Sequence, residues 1–189
     1  MFKIESFLLR PGKVIYDLAD AIANYQQYFV SIDDNTEMRK IINYLDRNYV
    51  EGAITINYYE KIIIDFSLWD VIDQLWSCIV NTVKLVVLNG EAMTFFPDQP
   101  IKIIIRDLKK INSILFKIQF NNKIVSHVLP KKEFFEEILT AAQHFFQTML
   151  NYNKRSQQFY TSELRNIEST KKLLERFYLC NKVHKGGTE

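Results

Sequence analysis

A chain of 189 residues that is 48% hydrophobic and 14% aromatic, led by 14 Phe and 10 Tyr, excludes a disordered or low-complexity protein. At this length roughly 70% of the unfolded chain's surface is buried on folding, enough for a core without disulfide or metal staples. A formal net charge of +2 is too small to imply nucleic acid, and two cysteines far apart in sequence, Cys78 and Cys180, fit a reducing compartment rather than a disulfide framework.

Phe2 to Leu9 is short and apolar and reads as an edge strand ended by Pro11-Gly12. It lacks the n-region, h-region and cleavage site of a signal peptide, so a cytoplasmic protein is expected. From Val14, apolar residues at Ile15, Leu18, Ala19, Ile22 and Tyr25 predict a first helix to about Tyr28. The polar run Ser31 to Thr36 supplies capping residues, and Met38, Ile41, Ile42 and Leu45 predict a second helix ending near Asn48. Alternation over Ala53 to Tyr59 and Lys61 to Phe66 predicts strand, either one bent strand or a tight hairpin.

Ser67 is then placed to cap a strongly amphipathic helix with Leu68, Ile72, Leu75, Trp76, Ile79, Val83 and Val86 on one face, stopped by Asn89-Gly90. This stretch carries Asp70, Asp73, Gln74, Asn81 and Lys84, so it is no membrane span. Glu91 to Phe96, Ile101 to Leu108, Ile114 to Phe120 and Lys123 to Leu129 form an antiparallel meander, with turns at Pro97 to Pro100, Lys109-Lys110 and Asn121-Asn122. Pro130 opens a helix with Phe134, Phe135, Ile138, Leu139, Ala142, Phe145, Phe146 and Met149 on its apolar face. A last amphipathic helix uses Tyr160, Leu164, Ile167, Leu174, Phe177 and Tyr178.

The resulting class is α+β, with an antiparallel sheet of about four to six strands, amphipathic helices and a long helical C-terminal region. Residues 1–152 form the core, 153–181 a C-terminal helix of the same domain, and 182–189 a flexible tail. That end is mildly basic: residues 154–189 hold eight Lys/Arg against four Asp/Glu.

Five glycines, two of them in the tail, leave no phosphate-cradling loop. No Cys/His spacing fits a metal, no cofactor is implied and no catalytic residue is assigned. His127 on a strand and His144 on a helix can form an acid–base site only if they meet a carboxylate such as Glu136 or Glu137, and two structural or surface histidines is the plainer reading. Asp70 and Asp73 read first as helix N-terminal acids and second as a partner-binding or acid–base pair. Trp69 and Trp76, one heptad apart, share a predicted face, where packing is the default and an exposed Trp69 marks a binding surface. Cys78 has no thiolate-stabilising neighbour in sequence. Arg165, Lys171, Lys172 and Arg176 are candidates for an acidic partner, diluted by Glu163, Glu168 and Glu175, and the balance argues against nucleic acid.

Three stretches, Leu68-Trp69-Asp70-Val71-Ile72-Asp73-Gln74-Leu75-Trp76, Phe95-Phe96-Pro97-Asp98-Gln99-Pro100-Ile101 and Leu129-Pro130-Lys131-Lys132-Glu133-Phe134-Phe135, resemble small bacterial α+β immunity proteins of toxin and contact-dependent inhibition systems. The resemblance is one of size and arrangement over about residues 50–150 and transfers no functional residue. It implies a non-catalytic protein that binds a toxin domain; the slightly basic charge points away from a nuclease toxin. The alternatives are a small enzyme using His127 or His144 with a carboxylate, and a homo-oligomer associating through an exposed aromatic or apolar helix face.

Overall fold

A computed structural model describes residues 1–46, 49–153 and 156–183. The α+β class holds, and the strands divide into two antiparallel sheets, one of five strands and one of four. The first sheet contains β1 (Phe2–Leu9), β2 (Phe29–Ser31), β3 (Glu51–Tyr58), β4 (Lys61–Ile64) and the short β5 (Asp70–Val71). Its order is β2-β1-β3-β4, with β5 beside β3. The second is the meander β6 (Glu91–Phe95), β7 (Lys102–Leu108), β8 (Ser113–Phe120) and β9 (Lys123–Pro130), in sequence order.

Local chemistry explains the meander. Asn121 and Asn122 both have positive φ, 45° and 60°, the backbone of a two-residue hairpin turn whose twist suits the flanking strands. Between β7 and β8 the chain makes a 3₁₀ turn over Lys109–Ile111 and then a single left-handed residue, Asn112 at φ 50°. β1 is paired on both sides, by β2 and β3, and is therefore a central strand where an edge strand is expected from sequence. The predicted pair after Gly52 is a hairpin, turning at Tyr59 with φ 52°. Gly52 is required there: a Cβ would lie 2.2 Å from the Phe7 carbonyl oxygen and 3.0 Å from an Ile72 methyl.

The first predicted helix is broken into α1 (Leu18–Ala23) and α2 (Tyr25–Tyr28) at Asn24. Asp17 caps α1, accepting from the Ala19 and Asp20 amides, and the Asp20 carboxylate accepts from the Asn24 side chain and the Tyr28 hydroxyl. The second becomes α3 (Asn35–Ile41), capped by Asp34, followed by a 3₁₀ turn over Ile42–Tyr44; its expected end at Asn48 lies outside the described residues.

Three long helices complete the domain: α4 (Ile72–Asn89), α5 (Lys131–Tyr152) and α6 (Gln157–Val183). α4 starts later than its apolar spacing predicts. Ser67 caps nothing; it sits in a 3₁₀ turn over Phe66–Leu68, where the Asp65 carboxylate accepts from its amide and hydroxyl, and Asp70 and Val71 are drawn into pairing with β3. Gly90, in the left-handed region at φ 84°, ends α4 as expected.

α4 and α5 pack between the sheets, and α6 packs on these two helices. One continuous core joins the inward faces, including Leu8, Ile54 and Ile56 from the first sheet, Ile103, Ile105 and Phe116 from the second, and Trp76, Phe134, Phe146, Tyr160 and Ile167 from the helices. α6 is thus part of this core, and the tail beyond Val183 lies outside the described residues. Among the described residues no helix is long and apolar enough to cross a membrane.

Candidate protein-binding surface

The two sheets differ in what covers their far faces. Behind the first sheet, Phe7, Leu9, Phe29, Ala53 and Phe66 are buried in a second cluster with Tyr25, Tyr28, Ile15 and Trp69. Behind the second sheet no helix packs among the described residues. Register puts three cross-strand rows there: Phe95, Lys102, Gln119 and Ile124; Met93, Ile104, Lys117 and Ser126; Glu91, Arg106, Leu115 and Val128. Met93, Phe95, Ile124 and Val128 are 52–61% exposed. Alternate residues, such as Ile103, Ile105, Phe116 and Ile118, point to the core and are buried.

This open face is basic. Arg106 donates to Glu91 at 2.8 Å and holds that carboxyl below its usual range. Lys102 lies 5.0 Å from the Phe95 ring centre. Lys102 and Lys117 make no ion pair among the described residues. Apolar side chains interleaved with unpaired cations suit a surface that is apolar and acidic in turn.

The first sheet's far side carries instead a concave groove of about 620 Å³, floored by Phe7, Tyr25 and Phe66 and bordered by Thr55, Asn57 and Ile62. Tyr25 and Phe66 stack at 4.5 Å and 12°. Both of its cations are paired, Lys3 with Glu5 at 2.8 Å and Arg10 with Glu37 at 2.8 Å, and Asp34 and Asp65 line it as well, so its lining is net acidic. Such a groove can accept an apolar side chain, and its lining holds no nucleophile beside a base.

Asp70 and Asp73 are 2% and 7% exposed, so they face the interior. Asp70, in β5 and not on the helix, accepts from the amides of Val71, Asp98 and Gln99 at 2.6, 3.0 and 3.0 Å. It ties the β6–β7 loop to the edge of the first sheet; burial pushes its carboxyl up while these donors pull it back. Asp73 accepts from the Gln74 amide at 2.8 Å and, at a long 3.4 Å, from the buried Tyr160 hydroxyl. Asn153 donates to the same hydroxyl at 3.4 Å and to Ser156 at 3.0 Å. This small network joins the start of α4 to the α5–α6 junction, and burial raises Asp73 to about 6 and Tyr160 to about 12.

Trp69 and Trp76 do not share a face, because Trp69 precedes the helix. Trp69 packs half-buried on the cluster behind the first sheet. Trp76 is fully buried in the main core and donates to the Ser6 hydroxyl at 3.0 Å.

On α6, Lys171 donates to Gln143 at 2.5 Å and Lys172 pairs with Glu168 at 3.0 Å. Arg165 and Lys172 border a shallow cleft against Gln143 and Gln147 of α5, and Arg176 is exposed. These cations are distributed along a mixed polar surface and not gathered into a patch.

His127 and His144 do not meet one another, and neither finds Glu136 or Glu137. His144 Nε2 lies 2.5 Å from Asp33 Oδ1, both groups more than half exposed. They border a polar cleft of about 500 Å³ that also holds Arg39, Thr148 and Tyr152, whose hydroxyl donates to Asn35 at 2.7 Å. His127 is half-buried on β9; its Nε2 has no hydrogen-bond partner, and burial with Lys61 lowers its pKa. Cys78 is half-buried and free, while the Cys180 side chain and His184 lie outside the described residues. Among the described residues no group of three or more His, Cys, Asp or Glu side chains is placed to hold a metal ion.

The open face escapes a linear reading because Ile103-Ile104-Ile105 and Ile124-Val125 are continuous apolar runs. They hide the alternation that the register reveals. The chain matches no protein-family model, no curated protein and no solved structure.

Proposed function

We propose that this is a non-catalytic, cytoplasmic protein-binding protein that docks an acidic protein surface on the open face of β6–β9, in the manner of an immunity protein masking a bacterial toxin domain. The observation that carries this reading is the uncovered four-stranded face, on which Met93, Phe95, Ile124 and Val128 alternate with the unpaired Lys102 and Lys117. A sheet face is rigid and preformed, so little ordering entropy opposes docking. The interleaved lysines favour an acidic partner and set the encounter rate.

The test is calorimetric titration of the chain with the polypeptide encoded beside it. Expected is saturable binding that weakens with salt and falls at least tenfold in Lys102→Glu/Lys117→Glu. Absence of binding by the wild-type chain, or equal binding by the charge-reversed variant, overturns the reading.

One observation favours a second reading. His144 and Asp33 form an imidazole–carboxylate pair in a polar cleft, an arrangement that serves general acid–base chemistry. This enzyme reading requires a turnover that disappears in both His144→Gln and Asp33→Asn, measured against ester and phosphoester panels. Activity surviving both substitutions sinks it.

A further inference from the structure

Sheet edges carry backbone N–H and C=O groups that call for a further strand, and folded proteins shorten, charge or cover such edges. Three of the four edges here are treated in one of these ways. β2 has three residues and β4 four, and β6 is packed along α4. β9 is different. It runs eight residues, and among the described residues it pairs with β8 on one side and with no strand on the other. Ile124, Val125 and Val128 are 61%, 41% and 57% exposed, and between Lys123 and Pro130 there is no Lys, Arg, Asp, Glu or Pro to discourage pairing.

We infer that β9 pairs antiparallel with β9 of a second copy of this chain about a two-fold axis at Ser126, joining two β6–β9 meanders into one eight-stranded sheet. The occupant follows from the strand's own pattern. Pairing about Ser126 sets Ile124 opposite Val128 of the other copy on the open face, twice, and Val125 opposite His127 on the helix side. Shifting the axis by one residue sets Ile124 opposite Ser126 or Pro130 and loses both apolar pairs. The only formal charge on the strand, Lys123, falls opposite Leu129, so the two lysines stand at opposite ends of the junction. Lys117, which neighbours Ser126 on β8, is about 14 Å from its counterpart across three interstrand spacings, beyond the screening length of about 8 Å at physiological salt. An axis perpendicular to the sheet keeps both open faces on one side. The inference shares Ile124 and Val128 with the acidic-partner reading but uses the strand edge and not the lysines of the face, so Lys102→Glu/Lys117→Glu leaves it standing.

The experiment has two arms on the full chain. In sedimentation equilibrium from about 5 to 500 μM, a one-strand junction, smaller than a standard interface of about 1,600 Å², gives a mass rising from 22.4 kDa toward twice that value. Ile124→Lys/Val128→Lys stays monomeric with an unchanged circular dichroism spectrum. In a Cys78→Ser/Cys180→Ser background, Ser126→Cys forms a disulfide-linked dimer on mild oxidation, because directly opposed Cα atoms lie about 4.5–5.5 Å apart, within disulfide reach. Lys123→Cys, whose two copies are separated by about 20 Å along the strands, does not. A wild-type chain monomeric at 500 μM, a lysine variant that associates like wild type, or Lys123→Cys crosslinking as readily as Ser126→Cys overturns the inference.

Discussion

The first sheet is clad on both faces and ends in short edges; the second is clad on one face and ends in a long one. Both contribute their inward faces to one core, so the difference between the faces lies in their outward residues. Behind the first sheet, Phe7, Phe29 and Phe66 meet Tyr25 and Tyr28 from the α1–α2 segment. Behind the second, Phe95, Met93 and Val128 stand among lysines and face solvent. The same residue type is therefore a packing element on one sheet and a surface feature on the other. The contrast teaches that Phe95, unlike Phe7, has half its area outside the core.

The largest expected effect tests how the second sheet is held to the helices. Lys131 at the start of α5 donates both 3.1 Å bonds to the Asp107 carboxylate, and the two side chains are only 7% and 3% exposed. Lys131 also lies 4.9 Å from the Phe177 ring centre, so the pair joins β7, α5 and α6. Lys131→Met strands a buried carboxylate and is expected to cost about 3–5 kcal/mol in urea unfolding, whereas Lys131→Met/Asp107→Leu recovers most of it. A single variant as stable as wild type would show that the second sheet does not depend on this anchor. On the first sheet, Phe7→Ala empties a site against Tyr25 and Phe66 and is expected to cost about 3 kcal/mol by the same measurement.

How far these regions were legible follows from the range of the interactions that set them. The β6–β9 hairpins, α5 and the end of α4 rest on local signals: Asn121-Asn122 turning with positive φ, the Phe134 to Met149 stripe, and Gly90 at φ 84°. The misread parts rest on distant partners. β1 is central because Phe29 to Ser31 returns to pair with it, and nothing in the eight residues Phe2 to Leu9 announces that. Asp70 and Asp73 have helix-start spacing, yet Gly52 draws Asp70 into the sheet and Tyr160, 87 positions on, reaches Asp73. Likewise the carboxylate beside His144 comes from Asp33, 111 residues away.

Asp73 supplies a pH test of the junction beneath the first sheet. Burial raises its carboxyl to about 6, while an exposed aspartate ionises near 3.8. Between those values the folded chain keeps a proton that the unfolded chain has released. The contribution is therefore fully present below pH 3.8 and is lost as pH rises through 6. Asp73→Asn, which carries no charge at any pH, is expected to gain on the order of 2 kcal/mol relative to wild type at pH 7.5 and little at pH 4. A variant whose advantage does not change between these two pH values contradicts an ionised, poorly solvated Asp73.

The smallest expected effect is the sharpest comparison. Phe95→Ala removes the same ring as Phe7→Ala, but from a position 52% exposed and in contact with Lys102 and solvent. Half the ring's area is already hydrated, and the cation–π contact is worth about 0.5–1 kcal/mol at an exposed site, so the loss in unfolding free energy is expected to stay below about 1 kcal/mol. If Phe95→Ala costs as much as Phe7→Ala, the ring is structural, and the contrast between a clad sheet and an open one fails. If it is nearly silent in unfolding but weakens partner binding tenfold, the stability of the domain and the use of its open face are separable. That separation is what an interaction surface on a rigid sheet requires, because its residues can then be chosen for a partner without loosening the core behind them.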